Sequence, residues 1–75
     1  MIRFKFKELM AEKSFQEGRR ITIEEVSKST GIHRTTLSKL SNIKGYNAST
    51  DIIDKLCVFF DVQVSDVAVY IKSID

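Results

Sequence analysis

The chain has 75 residues, with one cysteine, one histidine, no proline and a formal net charge of +2. That length suits one domain over residues 1–75 with a modest core, and a single cysteine and histidine exclude an internal disulfide or a structural zinc site. No apolar run at the N-terminus is long enough for a signal sequence or a membrane helix, which points to a reducing, cytoplasmic setting.

Residues 2–7 alternate apolar Ile2, Phe4 and Phe6 with basic Arg3, Lys5 and Lys7, a period of two that predicts a short strand. From Phe6 the spacing of Leu9 and Met10 turns helical and predicts a first helix over residues 5–14. SFQEGRR then reads as a loop broken at Gly18.

Thr22 is the predicted N-cap of a second helix. Thr22 and Glu25 have capping-box spacing: the hydroxyl accepts the N–H three residues on, and the glutamate reaches back. Ile21 and Val26 flank the cap as a hydrophobic staple. Ile23, Val26 and Thr30 share one face, and Gly31 supplies the left-handed stop.

Ile32 is expected to be buried in the turn, and His33 to cap a third helix that ends near Asn42. On that helix Thr36, Leu37 and Leu40 point inward, while Arg34, Thr35, Ser38 and Lys39 point outward. IKGYNA reads as a loop around Gly45. Ser49 or Thr50 caps a fourth helix with Asp51 in its first turn. Ile52, Ile53, Leu56, Phe59 and Phe60 give that helix a wide apolar stripe, with Cys57 beside it as a small core residue. Asp61 ends the helix, Ser65 and Asp66 start a last helical turn, and Val67, Val69 and Ile71 alternate as a strand. The alternating segments at the two ends are expected to pair as a small antiparallel ribbon on an otherwise all-α fold.

Charge is unevenly spread. Residues 19–47 hold six basic residues against two acidic ones, whereas residues 48–75 hold two basic against five acidic. The positive field therefore falls on the second and third helices, which suits a polyanion partner.

Two short helices around Gly31, the second with a polar outward face, are the layout of a DNA-binding helix-turn-helix. Arginine at position 34 can contact guanine through two hydrogen bonds, and Thr35 can bond a base edge or touch a thymine methyl. Lys39 lies one turn along the same face with Ser38 beside it, so Arg34, Thr35, Ser38 and Lys39 are the candidate base contacts. Thr22, His33 and Thr36 are candidate phosphate contacts, because helix starts offer free N–H groups and a positive dipole end. The alternative role for Thr22 and His33 is capping. Arg19 and Arg20 either reach phosphates from their loop or stay solvated. Neither catalysis, a cofactor, a metal nor a small-molecule ligand is expected, because no carboxylate pair, metal cluster, nucleophile–base pair or phosphate-binding glycine loop stands out.

The segment resembles the phage-repressor and Cro-like helix-turn-helix family, also called XRE. Ser27 stands at the family's small mid-helix position, Gly31 at its turn, and Leu37 and Leu40 at its aliphatic positions, with Val26 and Ile32 as further core positions. DIIDKLCVFFDVQVSDV is similar to the family's fourth and fifth helices, so the resemblance covers most of residues 4–67. It implies a compact five-helix fold with a recognition helix, residues 33–42, in the major groove. It also implies a following loop along the DNA backbone, which adds Asn42, Lys44, Tyr46 and Asn47 as candidate phosphate contacts. Loop chemistry is the alternative for these, and packing for Tyr46.

Three departures stand out. Ile23 replaces the glutamine that often holds a phosphate at the start of helix two. Ser41 replaces a frequent acidic residue, and the later loop lacks the usual proline. The connection between helices one and two is also longer.

The implied function is sequence-specific binding of double-stranded DNA by a small transcriptional regulator, a repressor. One reading helix covers few base pairs, so a homodimer on two half-sites is expected. Val67, Val69, Tyr70 and Ile71 are the candidate dimer surface. The alternatives are the antitoxin of a toxin–antitoxin pair and a protein-interaction module that kept the fold without binding DNA.

Overall fold

Strands β1 (Ile2–Phe4) and β2 (Ala68–Tyr70) join the two ends of the chain as an antiparallel ribbon, with Ile2 opposite Tyr70, Arg3 opposite Val69 and Phe4 opposite Ala68. The pairing continues at both ends, where the Lys5 N–H donates to the Val67 carbonyl and the Ile71 N–H to the Met1 carbonyl, each at 2.8 Å. The computed structural model describes residues 1–72. Between the strands run α1 (Phe6–Glu17), α2 (Ile23–Thr30), α3 (Arg34–Asn42), α4 (Thr50–Phe60) and α5 (Val64–Val67).

The ribbon predicted from alternation is present, but β1 stops at Phe4 rather than Lys7. Phe6 is fully buried and opens α1, so the chain leaves the extended conformation to deliver that ring to the core. The ring of Phe6 meets that of Phe60 edge-on at 6.0 Å, and Phe60 meets Phe59 in the same way at 4.9 Å.

Helix α1 runs to Glu17, beyond the expected end at residue 14. Gly18 has φ of 66°, and its N–H and that of Arg19 return to the carbonyls of Phe15 and Ser14. This glycine-terminated motif satisfies the last carbonyls of a helix, so SFQE belongs to the helix that Gly18 ends.

Thr22 caps α2 as expected, its hydroxyl accepting the Glu25 N–H at 3.1 Å. The reciprocal half of the capping box is replaced. The Glu25 carboxylate takes both terminal nitrogens of Arg19 at 2.7 Å instead. A charged two-point contact is stronger than a neutral N–H bond, so it captures the glutamate.

Ser49 caps α4 by accepting the Ile52 N–H, and Asp61 ends it in the left-handed conformation that aspartate tolerates better than most residues. The final turn starts at Val64, one residue before Ser65. There the Gln63 N–H is held by Asp66 Oδ2 at 3.1 Å.

Phe6, Ile21, Val26, Ile32, Leu37, Leu40, Leu56 and Val67 form the buried core. Every helix from α1 to α5 contributes to it, and Ile21 and Ile32 add the α1–α2 and α2–α3 connections. Cys57 is half-buried against this cluster as a free thiol. Val67 corrects the expected dimer surface: it is fully buried and unavailable to a partner, while Tyr70 and Ile71 remain exposed. No helix among the described residues is long and apolar enough to cross a membrane.

Candidate nucleic-acid interface

The turn between α2 and α3 is held by side-chain hydroxyls as well as backbone. Gly31 has φ of 78°, and its N–H bonds the Ser27 carbonyl at 2.9 Å. Ser27 Oγ donates to the Ile32 carbonyl at 2.7 Å, and Thr30 Oγ1 accepts the Ile32 N–H at 3.1 Å. Ile32, buried below, anchors the same residue through packing. Both polar groups of the turn residue are therefore satisfied, which fixes the direction in which α3 departs.

His33 caps α3, its Nδ1 accepting the Thr35 N–H at 3.1 Å. Leu37 and Leu40 are buried beneath the helix, and Thr36 is half-buried. The opposite face carries Arg34, Thr35 and Lys39, all exposed, with Ser38 half-buried. Helical spacing places these four on one surface, and together with Ile23 of α2 they line a shallow concavity.

Two contacts organise that surface beyond helical spacing. Arg34 Nη1 meets Glu24 Oε1 across the motif at 3.0 Å, with both side chains about two-thirds exposed (67% and 65%). Asn42 Nδ2 donates to Ser38 Oγ at 3.3 Å one turn earlier, linking a candidate phosphate contact to a candidate base contact. Ile23 is half-buried, with part of its side chain on the core and part toward the concavity.

The remaining candidates divide. Asn42 and Lys44 line a second, more enclosed depression between the ribbon and the loop after α3, together with Arg3 and Lys7. The structure thus brings two N-terminal cations near Lys44. Sequence spacing alone does not reveal this, because it depends on how the N-terminal segment lies against the loop after α3. Asn47 is exposed on the same loop, and Tyr46 is half-buried with its ring against the core. Thr22 is exposed at the start of α2, where its hydroxyl is already engaged as the cap.

Arg19 is committed elsewhere. It bridges Glu25 and Glu17, which joins the end of α1 to the start of α2. The Arg19 hydrogen bonds hold the Glu25 carboxyl below its ordinary value of 4.5, and Lys13, with Arg19, lowers Glu17. A carboxylate depressed in the folded state stabilises the fold above its unfolded value, and that contribution is lost as pH falls through the folded one. In wild-type protein the melting temperature should therefore fall across the acidic side of the glutamate range more steeply than in Arg19→Ala, and the two curves should converge at the lowest pH. Thermal melts at a series of pH values check this. Curves that stay parallel would remove the pair from the stability of the α1–α2 junction.

A rigid glycine turn, a buried anchor on each flanking helix and an outward polar helix define a helix-turn-helix domain. A family model described as the Cro/C1-type HTH DNA-binding domain matches residues 5–73, and the chain belongs to that family of DNA-binding domains. No curated protein and no solved structure matches the chain.

Proposed function

We propose that the protein is a sequence-specific transcriptional regulator, a repressor acting in the cytoplasm, that binds double-stranded DNA as a homodimer. One observation carries the reading: Arg34, Thr35, Ser38 and Lys39 share the outward face of a helix whose direction is fixed by a fully bonded turn. Docked in the major groove, that face puts Arg34 and Thr35 at base edges, since the first turn of the recognition helix enters deepest in this motif. Lys39 follows one turn on. His33 and Thr22 mark the two helix starts, whose free N–H groups suit phosphates. Asn42, Lys44 and Asn47 lie on the stretch after α3 that would track the backbone, with Thr36 and Tyr46 as the more buried members of the set.

A single recognition helix reads only a few base pairs, which is too little for useful selectivity. Two copies with two half-sites supply the rest. Among the described residues, Ile2, Tyr70 and Ile71 are exposed on or beside the ribbon, with Val69 half-buried, and offer apolar surface for pairing. Repression then follows from occupancy, because a dimer on an operator that overlaps a promoter blocks its use.

Selection from a random duplex pool, followed by titration of the winning duplex at several salt concentrations, tests the reading. The expected result is a repeated half-site and a steep salt dependence. Neutralising about six phosphates predicts a loss of roughly a thousandfold in affinity between 50 and 200 mM salt. An unenriched pool with no binding at low salt would instead assign the domain to protein interaction.

A further inference from the structure

The concavity on the reading face has an apolar wall in an otherwise cationic and hydroxylic surround. Ile23 opens α2 and lies partly on the core, which holds its side chain in place. Arg34, Thr35, Ser38 and Lys39 complete the lining. Glu24, the next residue after Ile23, meets the Arg34 guanidinium at 3.0 Å, so the arginine is held on the α2 side of the concavity, on the residue next to that wall.

From this juxtaposition we infer that Ile23 is a specificity-determining residue that receives the C5-methyl group of a thymine, next to a guanine read by Arg34. The inference rests on the DNA-binding reading of this face. Thymine is the only one of the four bases that presents a methyl group in the major groove. An amino or carbonyl edge placed against Ile23 would lose water and gain no hydrogen bond from it. A methyl group there loses water at no such cost, and Thr35, in the same lining, carries a side-chain methyl of its own. The cations on either side select the kind of partner. Arg34 and Lys39 favour the electronegative groove and its phosphates over an apolar protein segment, and the concavity is too open to enclose a small molecule.

The test uses the selected duplex with each thymine replaced in turn by deoxyuridine, which removes the methyl group alone. Burying one methylene-sized group corresponds to about a fourfold change in affinity. One thymine in each half-site, adjacent to the guanine whose preference relaxes in Arg34→Ala, should lose about fourfold on substitution, and both together about fifteenfold. In Ile23→Ala the thymine and uracil duplexes should bind alike. The wild-type series stands even where the variant folds poorly, because it changes only the DNA. If every thymine tolerates the replacement, or if the methyl effect persists undiminished in folded Ile23→Ala, the inference is overturned while DNA binding stands. If no duplex binds at low salt, the DNA-binding reading fails, and this inference fails with it.

Discussion

Replacing Leu37 by alanine should remove a large share of the protein's stability. Leu37 is fully buried, and it ties α3 to the core shared by Val26 and Leu56. Truncating a buried leucine removes its transfer free energy and leaves a cavity, together costing about 2–5 kcal/mol. A 75-residue domain has roughly 4–11 kcal/mol in total at typical per-residue stability, so the loss takes a large share of it. Leu37→Met keeps the volume and should cost less than about 1.5 kcal/mol. Urea unfolding checks both, with the midpoint lowered at unchanged slope. A midpoint shift in Leu37→Ala as small as that of Leu37→Met would mean that α3 is not held through this side chain. The melts belong at one fixed protein concentration, because the apparent stability of the proposed dimer would rise with concentration.

The parts of this fold that were legible in the sequence are those set by neighbours in the chain. Thr22, His33 and Ser49 act on N–H groups two or three residues away, so position along the chain marks the starts of α2 and α3 and narrows that of α4 to Ser49 or Thr50. Gly31 was legible because few other residues accept a φ of 78° without strain. The terminal ribbon was legible from period-two alternation at each end, although its register was not. The end of α1 was missed because Phe15 points away from the core at 84% exposure and adds nothing to the apolar period. The start of α5 was missed by one residue, since Val64 is exposed and Gln63 is a weak cap signal.

What sequence spacing does not carry is any contact that depends on how two helices cross. The capping rule predicts that Glu25 folds back on Thr22, yet the longer connection after Gly18 brings Arg19 within 2.7 Å and takes the carboxylate away. Val67 is expected at a partner surface because too much apolar character gathers near the C-terminus for a free tail, and it is buried because it closes α5 and packs into the core before β2 begins. The same limit applies to the outward face of α3. Helical period identified its four outward side chains, but not that Glu24 and Ile23 of the other helix complete it. Ile23 was notable only as a missing glutamine, and its place beside Thr35 and Arg34 required the crossing of α2 and α3.

That crossing makes Arg34→Ala the substitution with the largest expected effect on binding. The Arg34–Glu24 pair is about two-thirds exposed on each side, so it adds little to stability and the variant should remain folded. Loss of a two-point contact to guanine should cost about 1–3 kcal/mol of discrimination at one base pair of each half-site. Lys39→Ala should relax preference at a second base pair of each half-site, as loss of a base contact does. Glu24→Gln separates positioning from attraction. It keeps Arg34 but replaces its ion pair with at most a neutral hydrogen bond, and it removes a carboxylate from the surface proposed to face phosphates. Affinity for random duplex should then rise while the ratio of operator to random binding falls. Combining Glu24→Gln with Arg34→Ala in a double-mutant cycle should show coupling in operator binding and near-additivity in stability. If Arg34→Ala alters neither affinity nor preference at any base pair, sequence is read elsewhere, and Thr35 with Ser38 becomes the first place to look.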